Sequence, residues 1–477
     1  MKSLLRLSPG DRAPFTAFAL FFVACALLGG SSRADTAQLL LLRPIIIFYI
    51  AFLLIRRAQW ASHPLRILLI MFGLYATIMM VQLIPMPPAL WTSLPGHAGF
   101  AQAANLQGLA QPWRPISVAP DLTLNSIFAL LPAIATILFF AQSTAEQRRA
   151  AFIVVLGVVG VSLLFGVLQI ASPLGGALYF YRPTSLELPV GLFANRNHQA
   201  AFLACGIVVA AGWSCLPAEQ RGTLRPGRVV LMLARQWFAL ALSILFFALI
   251  LVTGSRSGMA VGLAASMLSI GLILNGRRSQ GRRISTRVRV GVGIGGALAI
   301  MLMLALFAIV GRASSLSRLA SGGESVSELR LTAWPVMRGM LERYFPFGAG
   351  FGTFDKTFRM AEPDQLLALG YFNHAHNDIL ELVLNGGVSM GLLIVGFAFW
   401  YVMRVRTLWT SRKSAQATQW SIAYVGLSVV LILVLASVTD YPVRTPLLTA
   451  FFTLACCWAV YDLTPARLTI DSERRDG

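Results

Sequence analysis

The chain has 477 residues, of which 57% are hydrophobic and only 12% charged, against about 25% charged in a soluble domain. That leaves too little polar surface to cover a water-soluble globule, so a soluble enzyme is excluded and lipid is the expected solvent. The net charge of +20, from 39 Lys plus Arg against 19 Asp plus Glu, does not signal nucleic-acid binding: the basic residues lie in short segments between apolar stretches, not on one exposed face.

Apolar runs long enough to cross a bilayer, about 17–25 residues each, fall near 14–30, 37–55, 65–84, 122–142, 150–170, 199–216, 236–253, 257–275, 288–311, 379–403, 419–439 and 444–462. They predict an all-α polytopic membrane protein with about twelve transmembrane helices. The first run follows Lys2, Arg6 and Arg12 and is rather long for a signal peptide, so it reads as a helix.

The basic residues orient this set. With the N-terminus inside, the inner segments hold Arg56, Arg57 and Arg66, then Arg148 and Arg149, then Arg221 to Arg235. The dense run Arg277 to Arg289, the group Arg404 to Lys413, and Arg467, Arg474 and Arg475 follow on the same side. Lys/Arg bias of this kind marks the cytoplasmic side and predicts both termini there. Three outer segments are long enough to hold structure, 85–121, 171–198 and 312–378. In the last, Val326, Leu329, Ala333, Met337, Met340, Leu341 and Tyr344 share one helical face. An amphipathic helix is expected there, on the membrane or packed on the bundle, with Pro335 kinking or restarting it. The chain thus divides into helices 1–4 over residues 1–149, a region 150–462 with the mainly helical outer loop between helices 9 and 10, and a cytoplasmic tail 463–477.

Cys25, Cys205, Cys215, Cys456 and Cys457 lie in or near apolar stretches without metal-like spacing, so buried thiols and no zinc are expected. No Walker loop, dinucleotide fingerprint or HExxH motif occurs, and no cofactor is predicted.

Four polar clusters fall on the outer side. The richest runs from Asn373 through His374, His376, Asn377 and Asp378 to Glu381, where the large loop enters the tenth helix. Asp378 and Glu381 fit an N-cap and capping pair. His376 then lies beside a helix end that favours anions, and a neutral imidazole beside an anion site is what a general base needs near pH 7. His374 and His376 have no evident third metal ligand. Arg256, in the tight turn Thr253–Gly258, lies near bilayer depth, where an arginine needs a partner; guanidinium binds diphosphate oxygens well. Asn195, Arg196, Asn197 and His198 frame another arginine, and Asp440 and Arg444 share the last outer turn, with an internal ion pair as the plain expectation. Arg330 sits on the apolar side of the amphipathic helix, either snorkelling to headgroups or turned to an anionic ligand. Together these clusters describe an anionic ligand presented from lipid, with a base close by.

In this order the residues resemble the O-antigen ligase family, whose superfamily also holds O-antigen and exopolysaccharide polymerases. The likeness rests on Arg330 and Trp334, the run from Phe345-Pro346 to Gly350-Phe351-Gly352, His376-Asn377 with Leu380 and Glu381, and Gly386-Gly387. Upstream, Phe193-Ala194-Asn195-Arg196-Asn197 and Ser255-Arg256-Ser257-Gly258 also look like family segments, so the resemblance covers roughly 150–460. Asn385 stands where members often carry glutamate, and Arg196 is not a general family feature.

The resemblance implies a GT-C-like, metal-independent, inverting glycosyltransferase of the bacterial inner membrane with its site facing the periplasm. The implied donor is an undecaprenyl-diphosphate-linked glycan, the acceptor a lipid A-core, a growing polysaccharide or another glycan, with membrane lipids around it. His376 is the implied base. Arg256 and Arg330, with Arg196 or Arg444, would stabilise the diphosphate; Asn195, Asn197, His374, Asn377, Asp378, Glu381 and Asp440 would support them. A repeat-unit polymerase is the alternative within the superfamily. A transporter or flippase is the rival from another class, but the spans hold almost no charge; Arg43 lies near the outer end of helix two.

Overall fold

The computed structural model describes residues 7–56, 65–172, 176–182, 188–216, 226–279, 326–367 and 372–460. In chain order the helices are α1 (Pro9–Leu28), α2 (Gln38–Ile55), α3 (Arg66–Val81), the short α4 (Pro88–Trp91) and α5 (Ala98–Leu106), α6 (Pro120–Phe128), α7 (Leu131–Gln142) and α8 (Ala145–Ile170). Then come α9 (Arg196–Cys215), α10 (Pro226–Val252), α11 (Arg256–Ser279), α12 (Val326–Tyr344), α13 (Phe354–Arg359), α14 (Asp378–Thr410), α15 (Ala417–Ser437) and α16 (Pro446–Ala459).

Nine stretches among the described residues are long and apolar enough to cross a membrane. They are α1, α2, α6 with α7, α8, α9, α10, α11, α14 and α15; α3 and α16 are apolar but shorter. Every expected apolar run inside the described residues is helical, while the run at 288–311 and the tail 463–477 lie outside them. No strand occurs among the described residues, only an isolated bridge between Met86 and Arg114. Leu40, Phe48 and Ile55 of α2 are 78%, 74% and 79% exposed, and Leu392 of α14 is 68% exposed. Water would not tolerate such faces on a monomer, whereas lipid is their natural solvent. The chain is a multi-pass membrane protein.

Small residues decide which helix lies at the centre. α9 carries Ala200, Ala201, Ala204, Ala210 and Ala211 and is buried over nearly its whole length, packed by α8, α10, α11 and α15. A Cβ on Gly212 would come within 2.3 Å of a Val425 methyl, so α15 can approach only because that side chain is absent. α9 starts at Arg196 and α10 returns to Val252; α14 starts at Asp378 and α15 returns to Ser437. All four of those ends meet at one end of the bundle. Arg148, Arg149, Arg404, Arg406, Arg412 and Lys413 lie at the opposite ends of α8 and α14.

Segments between the spans are knitted onto a break in α14. At Gly387 the backbone adopts φ 62°, ψ −150°, a region that strains any side-chain-bearing residue. The break lets the 345–352 turn lie against the helix: Ala349 N donates to Leu384 O and Gly350 N to Asn385 O, each at 3.0 Å, and Val388 N to Pro346 O at 2.9 Å. Gln82 Nε2 donates to Asn385 O at 2.8 Å, and Val118 N to Ala349 O at 3.0 Å, so the 85–121 segment is tied to the same place. α12 buries Ala333, Met337, Met340 and Tyr344 against this lobe, as its apolar periodicity requires, and runs through Pro335 without interruption.

Candidate active site

The loop 372–377 delivers two histidines to different surroundings. Asn377, with φ −153°, caps α14: its Oδ1 accepts from Leu380 N at 3.0 Å. The expected Asp378–Glu381 capping pair is therefore corrected. Both carboxylates lie in the first helical turn, where the dipole favours them, but they turn inward to Arg444. Arg444 Nε lies 2.7 Å from Asp378 Oδ1, and Nη1 lies 3.1 Å from Glu381 Oε1. Ser437 Oγ donates to the other Asp378 oxygen at 3.0 Å, and Ala375 N to Glu381 Oε2 at 2.8 Å. His374 Nδ1 completes the network, 3.0 Å from Glu381 Oε1. Burial works against the Arg444 charge, but the Glu381 and Asp378 carboxylates outweigh it and raise the guanidinium pKa above its ordinary value.

An internal Asp440–Arg444 pair does not form either. The turn holds Pro442 and closes as a single 3-10 turn over Pro442–Arg444, which sends the two side chains to different partners. Asp440, only 2% exposed, faces His376: Nδ1 lies 3.2 Å from Asp440 Oδ1. Its other oxygen accepts from Asn195 Nδ2 at 3.2 Å and Asn197 Nδ2 at 2.6 Å. Asn195 also caps α9, its Oδ1 accepting from Asn197 N at 2.8 Å. His376 itself has φ 51°, a left-handed backbone that a histidine adopts only under local constraint.

Arg196, the first residue of α9, reaches the next helical hairpin: its Nη1 donates to Thr253 O at 3.4 Å. That carbonyl belongs to the turn before α11, where Ser255 Oγ caps Gly258 N at 2.9 Å and Arg256 opens the helix as an exposed side chain. The Asn195–His198, Thr253–Gly258, Asn373–Glu381 and Asp440–Arg444 segments, far apart in sequence, thus meet at one end of the bundle. Arg330 lies in α12, with its side chain outside the described residues.

Sequence reasoning missed Tyr441. Its ring lies 4.3 Å from His374, 5.0 Å from His376 and 5.1 Å from His198, so it wedges three imidazoles apart. Burial and the adjacent Asp440 carboxylate push its phenol pKa above the ordinary value, which keeps the hydroxyl protonated as a donor to Asn373 Oδ1 at 3.4 Å. An aromatic residue flanked by acid and proline in so short an outer turn was the available signal. His374 and His376 turn their Nδ1 atoms to separate carboxylates, and among the described residues no three potential metal ligands converge.

Chemically, the arrangement offers an imidazole oriented by a buried carboxylate, with two arginines at the neighbouring hairpin. No curated protein matches the chain. Residues 241–395, from within α10 through the histidine loop and into α14, match the O-antigen ligase family model. That match supports the likeness of this segment to the O-antigen ligase superfamily, whose members are membrane glycosyltransferases of ligase or polymerase type that act on lipid-linked glycans.

Proposed function

We propose that the protein transfers a glycan from a polyprenyl-diphosphate-linked donor to an acceptor hydroxyl, on the periplasmic face of the bacterial inner membrane. The observation that carries this reading is the His376–Asp440 hydrogen bond, with Asp440 held by Asn195 and Asn197. A carboxylate accepts only, so a proton on His376 Nδ1 makes that bond and leaves Nε2 with its lone pair. Nε2 takes the proton from the acceptor hydroxyl as its oxygen attacks the anomeric carbon. The bond from that carbon to the diphosphate oxygen breaks, and the polyprenyl diphosphate leaves with the electron pair. One direct displacement inverts the anomeric centre.

Arg256 and Arg196 meet the charge that develops on the leaving diphosphate, and Arg330 joins them from α12. Arg444 organises the loop, since two carboxylates already occupy its charge. Basic residues at the ends of α8 and α14 remote from His376 support this sidedness, with both termini cytoplasmic. A polymerase would use the same chemistry with a second lipid-linked glycan as acceptor.

The test compares wild type with His376→Ala at matched membrane levels, following transfer of a lipid-linked glycan in detergent without added nucleotide or metal. Loss of a general base lowers the rate by about 10²–10⁴-fold. Undiminished transfer by the variant would remove His376 as the base. Product attached to lipid A-core makes the protein a ligase; lengthened lipid-linked chains make it a polymerase.

A further inference from the structure

On its other face the histidine loop borders a cavity of about 850 Å³, towards the upper end of the roughly 300–1,000 Å³ usual for ligand pockets. Helices α2, α3, α7, α14, α15 and α16 wall it with apolar side chains such as Met71, Ile394, Phe397 and Phe452. His374, Asp378 and Arg444 line it; His376, Asp440, Arg196 and Arg256 do not. The loop therefore separates the arginine hairpin from a mostly apolar hollow among the spanning helices. α2, α3 and α7 all lie outside the 241–395 family segment.

Charge on the rim of this hollow is unevenly balanced. Arg33 pairs with Asp35 at 2.9 Å, Asp355 with Arg359 at 2.8 Å, and Arg444 with Asp378 and Glu381. Arg43 and Lys356 also line the cavity, and among the described residues no carboxylate pairs with either. Arg43 lies five residues into α2, about 8 Å along the axis at about 1.5 Å per residue, a depth suited to lipid headgroups. It donates to Asn125 Oδ1, and its guanidinium lies 5.6 Å from the Phe128 ring. A neutral amide and a ring leave a membrane-depth arginine short of an anion.

We propose that this cavity binds the hydrocarbon chains of a second lipid, the one that carries the acceptor, and that Arg43 with Lys356 holds its anionic headgroup. The assignment to the acceptor rests on the transferase reading; the lipid site does not. An inverting displacement needs attacker and leaving group on opposite faces of the anomeric carbon. Chains seated here would bring the acceptor in from the side of the histidine loop away from Arg196 and Arg256.

Native mass spectrometry of the purified full chain, offered phosphatidate and diacylglycerol as probes, reads the site without turnover. Wild type should retain phosphatidate about tenfold better. Arg43→Gln should lose that preference. Ala398→Trp, at an exposed position lining the cavity, should lose both lipids. Equal retention of the two lipids by wild type, or unchanged retention by Ala398→Trp, overturns the site. In transfer assays, Ala398→Trp should raise KM about tenfold for a lipid-anchored acceptor, leaving kcat and the donor KM as in wild type. A raised donor KM instead would give the cavity to the donor and overturn the proposal. If wild type transfers nothing yet retains phosphatidate as expected, the transferase reading falls, and the acceptor assignment falls with it, while the lipid site stands.

Discussion

Two histidines stand two residues apart in one loop, and each sets Nδ1 against a buried carboxylate. Their surroundings give them different work. His374 faces Glu381, which also receives Arg444 and a backbone N–H, so that carboxylate is saturated and its charge is balanced. His376 faces Asp440, whose other oxygen accepts from the neutral amides of Asn195 and Asn197. In the proposed reaction, an imidazolium formed at His376 would gain the attraction of Asp440, as with the orienting carboxylate of a catalytic triad. At His374 the corresponding carboxylate is already shared with a guanidinium. A histidine's role is set by what else its carboxylate holds.

The largest effect should come from removing the charge of Asp440 while keeping its shape. Asp440→Asn puts an amide among the Asn195, Asn197 and His376 donors, and the imidazole loses both its orientation and its counter-charge. Transfer should fall by about 10²–10⁴-fold at an unchanged membrane level, read as initial rate with a lipid-linked donor. A rate within twofold of wild type would break the comparison at its centre.

Next comes the balanced side. Arg444→Leu leaves Asp378 and Glu381 buried at 8% and 1% exposure without their cation, a change that costs about 3–5 kcal/mol. The detergent-solubilised variant should melt well below wild type in a thermal aggregation assay, and Arg444→Lys should recover part of the loss. Wild-type melting combined with a raised donor KM would instead move Arg444 to the diphosphate.

Much of the scaffold was legible in the sequence because a bilayer imposes one simple requirement, an apolar run of fixed length with basic residues on one side. α9, α14 and α15 begin or end within a few residues of their apolar runs. The candidate site was legible as composition: Arg196, Arg256, His376 and Asp440 were each conspicuous as polar residues at the outer ends of spans. Pairing was not legible. Local spacing favoured Asp378 with Glu381 as caps and Asp440 with Arg444 as an ion pair, yet every one of these groups chose a partner from another segment. Contacts across a bundle, such as Asn197 to Asp440 over 243 positions, leave no trace in spacing. Tyr441 was missed for the same reason, since its importance lies in three rings that come from two other segments.

The smallest effect sharpens the comparison most. His374→Gln keeps an amide donor within reach of Glu381 but removes the ring that lies 4.3 Å from Tyr441. One hydrogen bond of this kind contributes about 0.5–1.5 kcal/mol net, and Arg444 with Ala375 N still holds the carboxylate. Stability should therefore drop by only about that amount, and the transfer rate should stay within about tenfold of wild type, far above that of Asp440→Asn. The two quantities must be read together, because a ring displaced from Tyr441 can shift His376 as well. If His374→Gln abolishes transfer while melting like wild type, the two histidines share the proton-transfer task and the distinction drawn from their carboxylates fails. A modest, parallel decline in stability and rate would mean that His374 serves the loop and His376 serves the substrate.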